Sequence, residues 1–521
     1  MITWENAKTK ITQFQSNGEW QQILQLLKCE TSINPDLDRT LFIALPFYYS
    51  KVAGNLMLIE FKQFYHYFHL FQESSLLVLE LNDLTDKERK KLYNTLAYAY
   101  CSIYSNGKLW SAKFITKNLS CLAESERKTF TRDFFRNNSL LFYYKALEID
   151  PNDIKTNYRF AHLLEDIRKF TLQKKPSITS PLKLTENLII NNKEDLIKFL
   201  NFVNKNGIPV IWRYYDRNFL ELHYYECAII LYENLQDESQ KSRCKNEYIK
   251  ALYRYSYNII EEKKGINLQA LPYNKQNDIL EDVTLSKNYF QLKQNNNFAS
   301  TKRKQIIREC LWKVIKLEDI PYNETNFNPM KILEKKLPEG ANFVYYTLSK
   351  YLLYYGVQEG DYSKSLPLCI KFAYFAVMVD FCILTAPLRD KGASSIHIYN
   401  FFNELLNALN MLVERDAFIN VYCKRLGFHT YDYMKQENEV RTMVSEGNYL
   451  EAEKQIQSMI NNNNKNKIVI SKLNKMLKQI EYYVKNPKTV EQNKLDKDLL
   501  RQAKNALLSI GFYEKCSIKI Q

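Results

Sequence analysis

Along most of the chain, apolar residues return at steps of three and four, the spacing of a helix with one buried face. Within 471–484, Leu473, Met476, Leu477, Ile480 and Tyr483/Val484 hold such a stripe, and Lys472, Lys475 and Lys478 stand away from it. Within 303–316, Ile306/Ile307, Cys310/Leu311 and Val314/Ile315 share one face, and Lys304, Arg308, Lys313 and Lys316 occupy the remainder. Period-two alternation is rare. Only "IPVIW" (208–212) and "CSIKIQ" (516–521) suggest strands, and strands and helices never alternate long enough for a parallel sheet. The pattern predicts an all-α protein.

Two apolar stretches approach membrane-span length, 41–61 and 366–387. Pro46, Lys51 and Gly54 interrupt the first, and Lys371 and Asp380 lie inside the second. Charge near the centre of a span is costly, so both read as buried helices of a soluble protein with no membrane span. Pro and Ser/Thr/Asn clusters break the helical pattern at 172–184, 320–340, 385–395 and 461–467. They suggest blocks 1–175, 176–330, 331–461 and 462–521.

Four segments share one turn grammar, Gly followed by an aromatic and then a small or apolar residue. They are "NGEWQQI" (17–23), "NGKLWSA" (106–112), "EGDYSKS" (359–365) and "EGNYLEA" (446–452). A fifth, "YYKALEIDPND" (143–153), supplies the other half of such a unit. There Ser139, Tyr143, Ala146 and Pro151 fit a second helix and its closing turn, and Phe160, Ala161 and Leu164 fit the first helix that follows. Small residues let helices approach, aromatics fill the grooves beside them, and Pro ends one helix. These segments resemble tetratricopeptide repeats, helix pairs of roughly 34 residues. Gly18, Trp20 and Pro35 keep that family's spacing, whereas the units after Gly107, Gly360 and Gly447 lack the closing Pro. The resemblance implies helical hairpins stacked into an α-solenoid, whose concave face holds a partner protein or peptide. It also implies that ligand-facing residues come from first helices. Carried over to 154–166, that points to Lys155, Tyr158, His162 and Asp166.

Composition adds direction. Scarce Gly (12) and Pro (13) argue against an all-β protein, and the formal net charge of +15 suits acidic partners or nucleic acid. Residues 461–521 carry much of that charge. The cysteines are dispersed, with no CxxC, which fits buried thiols in a reducing compartment; the first residues, MITWENAKTKITQF, lack a signal-peptide core. The chain therefore reads as intracellular, most simply cytoplasmic.

Catalytic signals are thin. His66 and His69 share a helix face, but their aromatic flanks predict core or interface histidines, and no HExxH, P-loop, dinucleotide fingerprint or G-x-S-x-G occurs. "RDKGASS" (389–395) reads as a loop, and "WRYYDRNF" (212–219) as charges paired between helices. No catalytic residue, metal or cofactor is expected. The leading expectation is a non-catalytic scaffold or adaptor. A helical-repeat nucleic-acid binder using the basic faces at 302–316 and 471–504 is the alternative, and a helical enzyme with a site assembled from distant residues is the third.

Overall fold

The computed structural model describes residues 2–107, 109–172, 198, 220–269, 301–318, 340–354, 362–385, 396–409, 411–424, 431–462, 467–485 and 497–518. These residues are helical, with no strand among them; a single parallel bridge joins Ile2 to Leu37. Residues 516–518, where a terminal strand was expected, form a turn instead, and 208–212 lie outside the described residues. Contacts divide the chain into two units, Met1–Ala251 and Leu252–Gln521.

The first unit begins with α1 (Trp4–Asn17) and α2 (Trp20–Leu26). Gly18 separates them at φ +74°, where L-residues are strained. Its N–H donates to Gln15 O and that of Glu19 to Phe14 O, the pair that closes a Schellman helix end. Then come α3 (Arg39–Leu56), α4 (Phe61–Leu79), α5 (Asp86–Ser105), the short α6 (Ala112–Asn118) and α7 (Glu124–Thr129), α8 (Arg132–Ile149), α9 (Ile154–Leu172) and α10 (Leu220–Glu233). Helix α11 (Glu238–Gln269) contains the division between the units. The principal pairings are α3 with α4, α5 with α8, and α9 with α10.

Side-chain pairs give the directions. Between α5 and α8, Tyr93 stacks on Phe142, Ser139 Oγ donates to Ala97 O at 2.8 Å, and Tyr100 meets Phe135, so the two run antiparallel. Tyr100 is fully buried among Phe68, Phe71, Phe134, Phe135 and Phe142, and Gln72 donates to its hydroxyl, so its one polar atom is satisfied. The α8–α9 junction packs as its sequence suggests. Ala146 and Ala161 are fully buried, and Tyr143 lies 6.0 Å from Phe160, centroid to centroid.

The second unit holds α12 (Thr301–Leu317), α13 (Ala341–Tyr354), α14 (Tyr362–Thr385), α15 (Ile396–Ala408), α16 (Leu412–Phe418), α17 (Tyr431–Ser445), α18 (Tyr449–Asn462), α19 (Lys467–Lys485), α20 (Lys497–Leu508) and α21 (Phe512–Lys515). Here α13 pairs with α14, α14 also meets α15 and α20, and α17, α18 and α19 pack in succession. Gly447 repeats the Gly18 geometry, with φ +84° and the same hydrogen-bond pair, from its own N–H to Val444 O and from Asn448 N–H to Met443 O. Arg415 is 1% exposed, and its guanidinium donates to Asn403, Asn438 and Glu437, tying α16 to α15 and α17.

Of the block boundaries expected from sequence, those near 175 and 330 lie outside the described residues. Around 462 the chain passes from α18 to α19, which pack against each other. The amphipathic stripes hold: Ile307, Cys310, Leu311, Val314 and Ile315 are buried in α12, and Leu473, Met476, Ile480 and Tyr483 in α19. Val484 departs from its stripe, at 41% exposed. No described helix is long and apolar enough to cross a membrane. The apolar stretch at 41–61 breaks after α3, and Asp380 within α14 is buried and accepts from Asn342 Nδ2.

Candidate functional site

Helices α3, α5 and α9 lie side by side and run parallel. Arg39, at the start of α3, bonds Glu88 at the start of α5, while Lys51, late in α3, reaches Tyr98 late in α5. From α5 to α9 the pairs advance together: Lys90 with Asp150 and Asp153, Asn94 with Thr156, Tyr98 with Arg159, and Ser105 with Asp166. Each of the three is the leading member of its helix pair.

A cation–aromatic ladder crosses this row. Lys51 Nζ stands 5.8 Å from the Trp20 ring centroid, 5.3 Å from that of Phe47 and 5.9 Å from that of Tyr98. Arg159 Cζ lies 4.9 Å from the same Tyr98 ring. Tyr98 is 47% exposed, while Trp20, Phe47, Lys51 and Arg159 are half-buried. Ring quadrupoles attract both cations, but no carboxylate lies within ion-pair distance of either among the described residues. The Lys51 ammonium is held below its ordinary pKa, first by burial and then by the Arg159 charge. Two like charges thus flank one exposed ring.

Beside the ladder opens a groove of about 410 Å³, with Trp20 as the shared wall. Val52 and Leu56 supply its apolar surface, the amides of Gln22, Gln25 and Asn55 line it, and Glu19 stands at its edge. The arrangement offers an apolar recess, hydrogen-bonding amides for a backbone, and a positive end at Lys51 and Arg159.

The residues carried over from the repeat resemblance are distributed differently. Tyr158 is only 9% exposed, its ring 6.0 Å from Tyr225 of α10, so the next helix covers it and it does not face a groove. Asp166 points to α5, accepting from Ser105 Oγ, and lies 3.6 Å from His162 Nδ1. Lys155 and His162 are half-buried. Arg159, one position beyond Tyr158, is half-buried with its charge over the Tyr98 ring, and Lys51 and Tyr98 join it from separate helices. None of the three stands out in the sequence; the available signal for Arg159 is its i+4 spacing from Lys155.

On the basic faces, Arg308, Lys313, Lys316, Lys475 and Lys478 are exposed, whereas the side chains of Lys304 and Lys472 lie outside the described residues. The segments 212–219 and 389–395 and the turn at Gly360 also lie outside them. His66 and His69 were expected in a core or interface; both are exposed. The aromatic stripe of α4, Phe61, Phe64, Phe68 and Phe71, faces inward, and the two histidines sit off it. They border a second cleft together with Glu73. No group of three metal-ligating side chains occurs among the described residues. Cys29, Cys101, Cys310, Cys369, Cys423 and Cys516 are buried free thiols, and Cys227 and Cys244 half-buried ones.

No protein-family model, curated protein or solved structure matches the chain.

Proposed function

We propose that this protein is a non-catalytic scaffold of tetratricopeptide-like helical hairpins, stacked as a solenoid, which holds an acidic segment of a partner protein against α3, α5 and α9. The observation that carries the reading is the Lys51–Tyr98–Arg159 ladder, an exposed ring between two half-buried cations without acidic partners among the described residues, on a row of parallel first helices. A partner carboxylate would supply the missing counter-charge, and charge-assisted hydrogen bonds contribute more than neutral ones. A base would need a free aromatic face, and a cation from each flanking helix already stands over the Tyr98 ring, which favours a polypeptide over nucleic acid here.

The test is native purification of the full chain and of a Lys51→Glu/Arg159→Glu variant, with mass spectrometry of what co-elutes. The expected result is a defined protein lost from the variant, while circular dichroism shows the fold intact. An unchanged partner set would overturn the reading. Co-eluting RNA or DNA, released by salt and lost when Arg308, Lys316, Lys475 and Lys478 are neutralised, would support the nucleic-acid alternative instead.

A further inference from the structure

The cleft beside α4 is independent of the cation–aromatic ladder and has the opposite chemistry. It encloses about 520 Å³ between α4 and the loop that follows α2. That size falls within the range of ligand pockets, on the order of 300–1,000 Å³. Its apolar surface comes from Ile33, Phe42, Leu70 and Leu77. In a chain with a net charge of +15, no Lys or Arg lines it, and Glu73 is its one acidic side chain.

Its hydrogen-bonding groups come from α4 and from the loop. His66 Nε2 lies 3.0 Å from Glu30 O. A carbonyl oxygen only accepts, so Nε2 carries a proton and donates to the loop. The Glu73 carboxylate is exposed, with His69 Nδ1 4.0 Å away. Thr31 and Ser32 add hydroxyls from the loop.

The loop is also held in place. Buried Tyr49 donates to Cys29 O at 2.9 Å, Asn34 Nδ2 donates to Leu27 O at 2.9 Å, and His66 ties α4 to Glu30. A cleft fixed this way has little ordering cost left to meet on binding. Along α4 it runs from His66 to Leu77. At 1.5 Å per residue that is about 16 Å, the reach of roughly five extended residues and longer than a small metabolite requires.

We infer that this cleft binds an extended basic peptide segment, with a Lys or Arg side chain at Glu73 and an apolar neighbour between Phe42, Leu70 and Leu77.

A random octapeptide library selected on the full-length protein tests this, followed by fluorescence anisotropy of the enriched peptides. The expected winners pair Lys or Arg with an apolar residue. Their affinity should fall about tenfold or more in Glu73→Gln, the scale of losing one charge-assisted hydrogen bond. It should fall also in Leu77→Ser, and stay unchanged in Arg159→Gln, which lies outside this cleft. Glu73 and Leu77 are both exposed, so these variants keep the fold, and circular dichroism checks that. Failure to enrich any sequence, enrichment of acidic or neutral sequences, or affinity unchanged in both cleft variants would overturn the inference. So would octylamine binding with the same Glu73 dependence where no peptide binds, which would make the site one for small amphiphiles.

Discussion

Replacing Lys90 with Met tests how the first-helix row is locked together. Lys90 Nζ donates to Asp150 Oδ2 at 2.7 Å and to Asp153 Oδ2 at 2.9 Å, joining the start of α5 to the turn between α8 and α9. Met keeps the apolar stem and removes only the charged head. The Lys90 side chain is 21% exposed, Asp153 22% and Asp150 38%, so the two arms differ in strength. The Asp150 arm is exposed enough to count as a surface pair, about 0.2–1 kcal/mol. The Asp153 arm is nearer to a charge-assisted hydrogen bond, about 1.5–3 kcal/mol before the lysine's lost side-chain entropy is set against it. The net expectation is a loss of about 1–2 kcal/mol. For a unit of this size that corresponds to a Tm lower by about 2–8 °C.

A double-mutant cycle in denaturant isolates the interaction. Asp153→Asn is the appropriate partner. Asp153 Oδ1 also accepts from Thr156 N–H at 2.9 Å, capping α9, and Asn caps equally well. Coupling of at least about 0.5 kcal/mol is expected. The acid limb gives a second readout. Burial, the largest single influence, raises the Asp153 pKa, but the hydrogen bonds from Lys90 and Thr156 and the Lys90 charge together outweigh it, and the net shift is downward. A depressed carboxylate contributes stability above its unfolded pKa, about 3.9, and loses it as pH falls through the folded value. The advantage of wild type over Lys90→Met should therefore shrink below about pH 4. A coupling energy of zero, or a difference that persists unchanged into acid, would refute the argument.

Tyr143→Ala empties a fully buried ring site against Phe160 and should cost about 3–5 kcal/mol, read by chemical denaturation. Arg415→Met removes a donor from Asn403, Asn438 and Glu437 inside the second unit, and Arg441 still bonds Glu437. A loss of about 3–5 kcal/mol is expected, and Arg415→Lys should recover little of it because an ammonium cannot match the planar fork.

Much of the packing was legible because it is local. The Ser139–Leu164 run encodes its junction through small and aromatic residues at helical steps, and Gly18 and Gly447 announce their helix ends because few other residues tolerate that backbone. Of the core-or-interface expectation for His66 and His69 the core half fails; counted by helical turn, Phe64, Phe68 and Phe71 already occupy the inner stripe without them. The candidate site was legible hardly at all. Lys51, Tyr98 and Arg159 belong to three helices, and periodicity within a helix does not say which neighbour covers which face. That is why Tyr158, an attractive groove residue in isolation, lies under Tyr225 while the next residue reaches the exposed Tyr98 ring.

The like-charged pair has a consequence of its own. Lys51 and Arg159 are each close to the Tyr98 centroid, so their heads are at most about 11 Å apart, roughly one Debye length, about 8–10 Å, in physiological salt. Their repulsion is therefore only partly screened, and salt should weaken it. Burial and the Arg159 charge together lower the Lys51 pKa, so between its folded and unfolded values the unfolded chain binds more protons. Stability should rise with pH through that window. Arg159→Gln should raise the Lys51 pKa and flatten the slope, with the effect fading at high salt. The pH dependence of Lys51 labelling by an amine-reactive reagent, read by mass spectrometry, measures the pKa directly. A Lys51 titration indifferent to Arg159→Gln would mean that the two charges do not act on each other, and the case for a shared anionic ligand would lose its electrostatic basis.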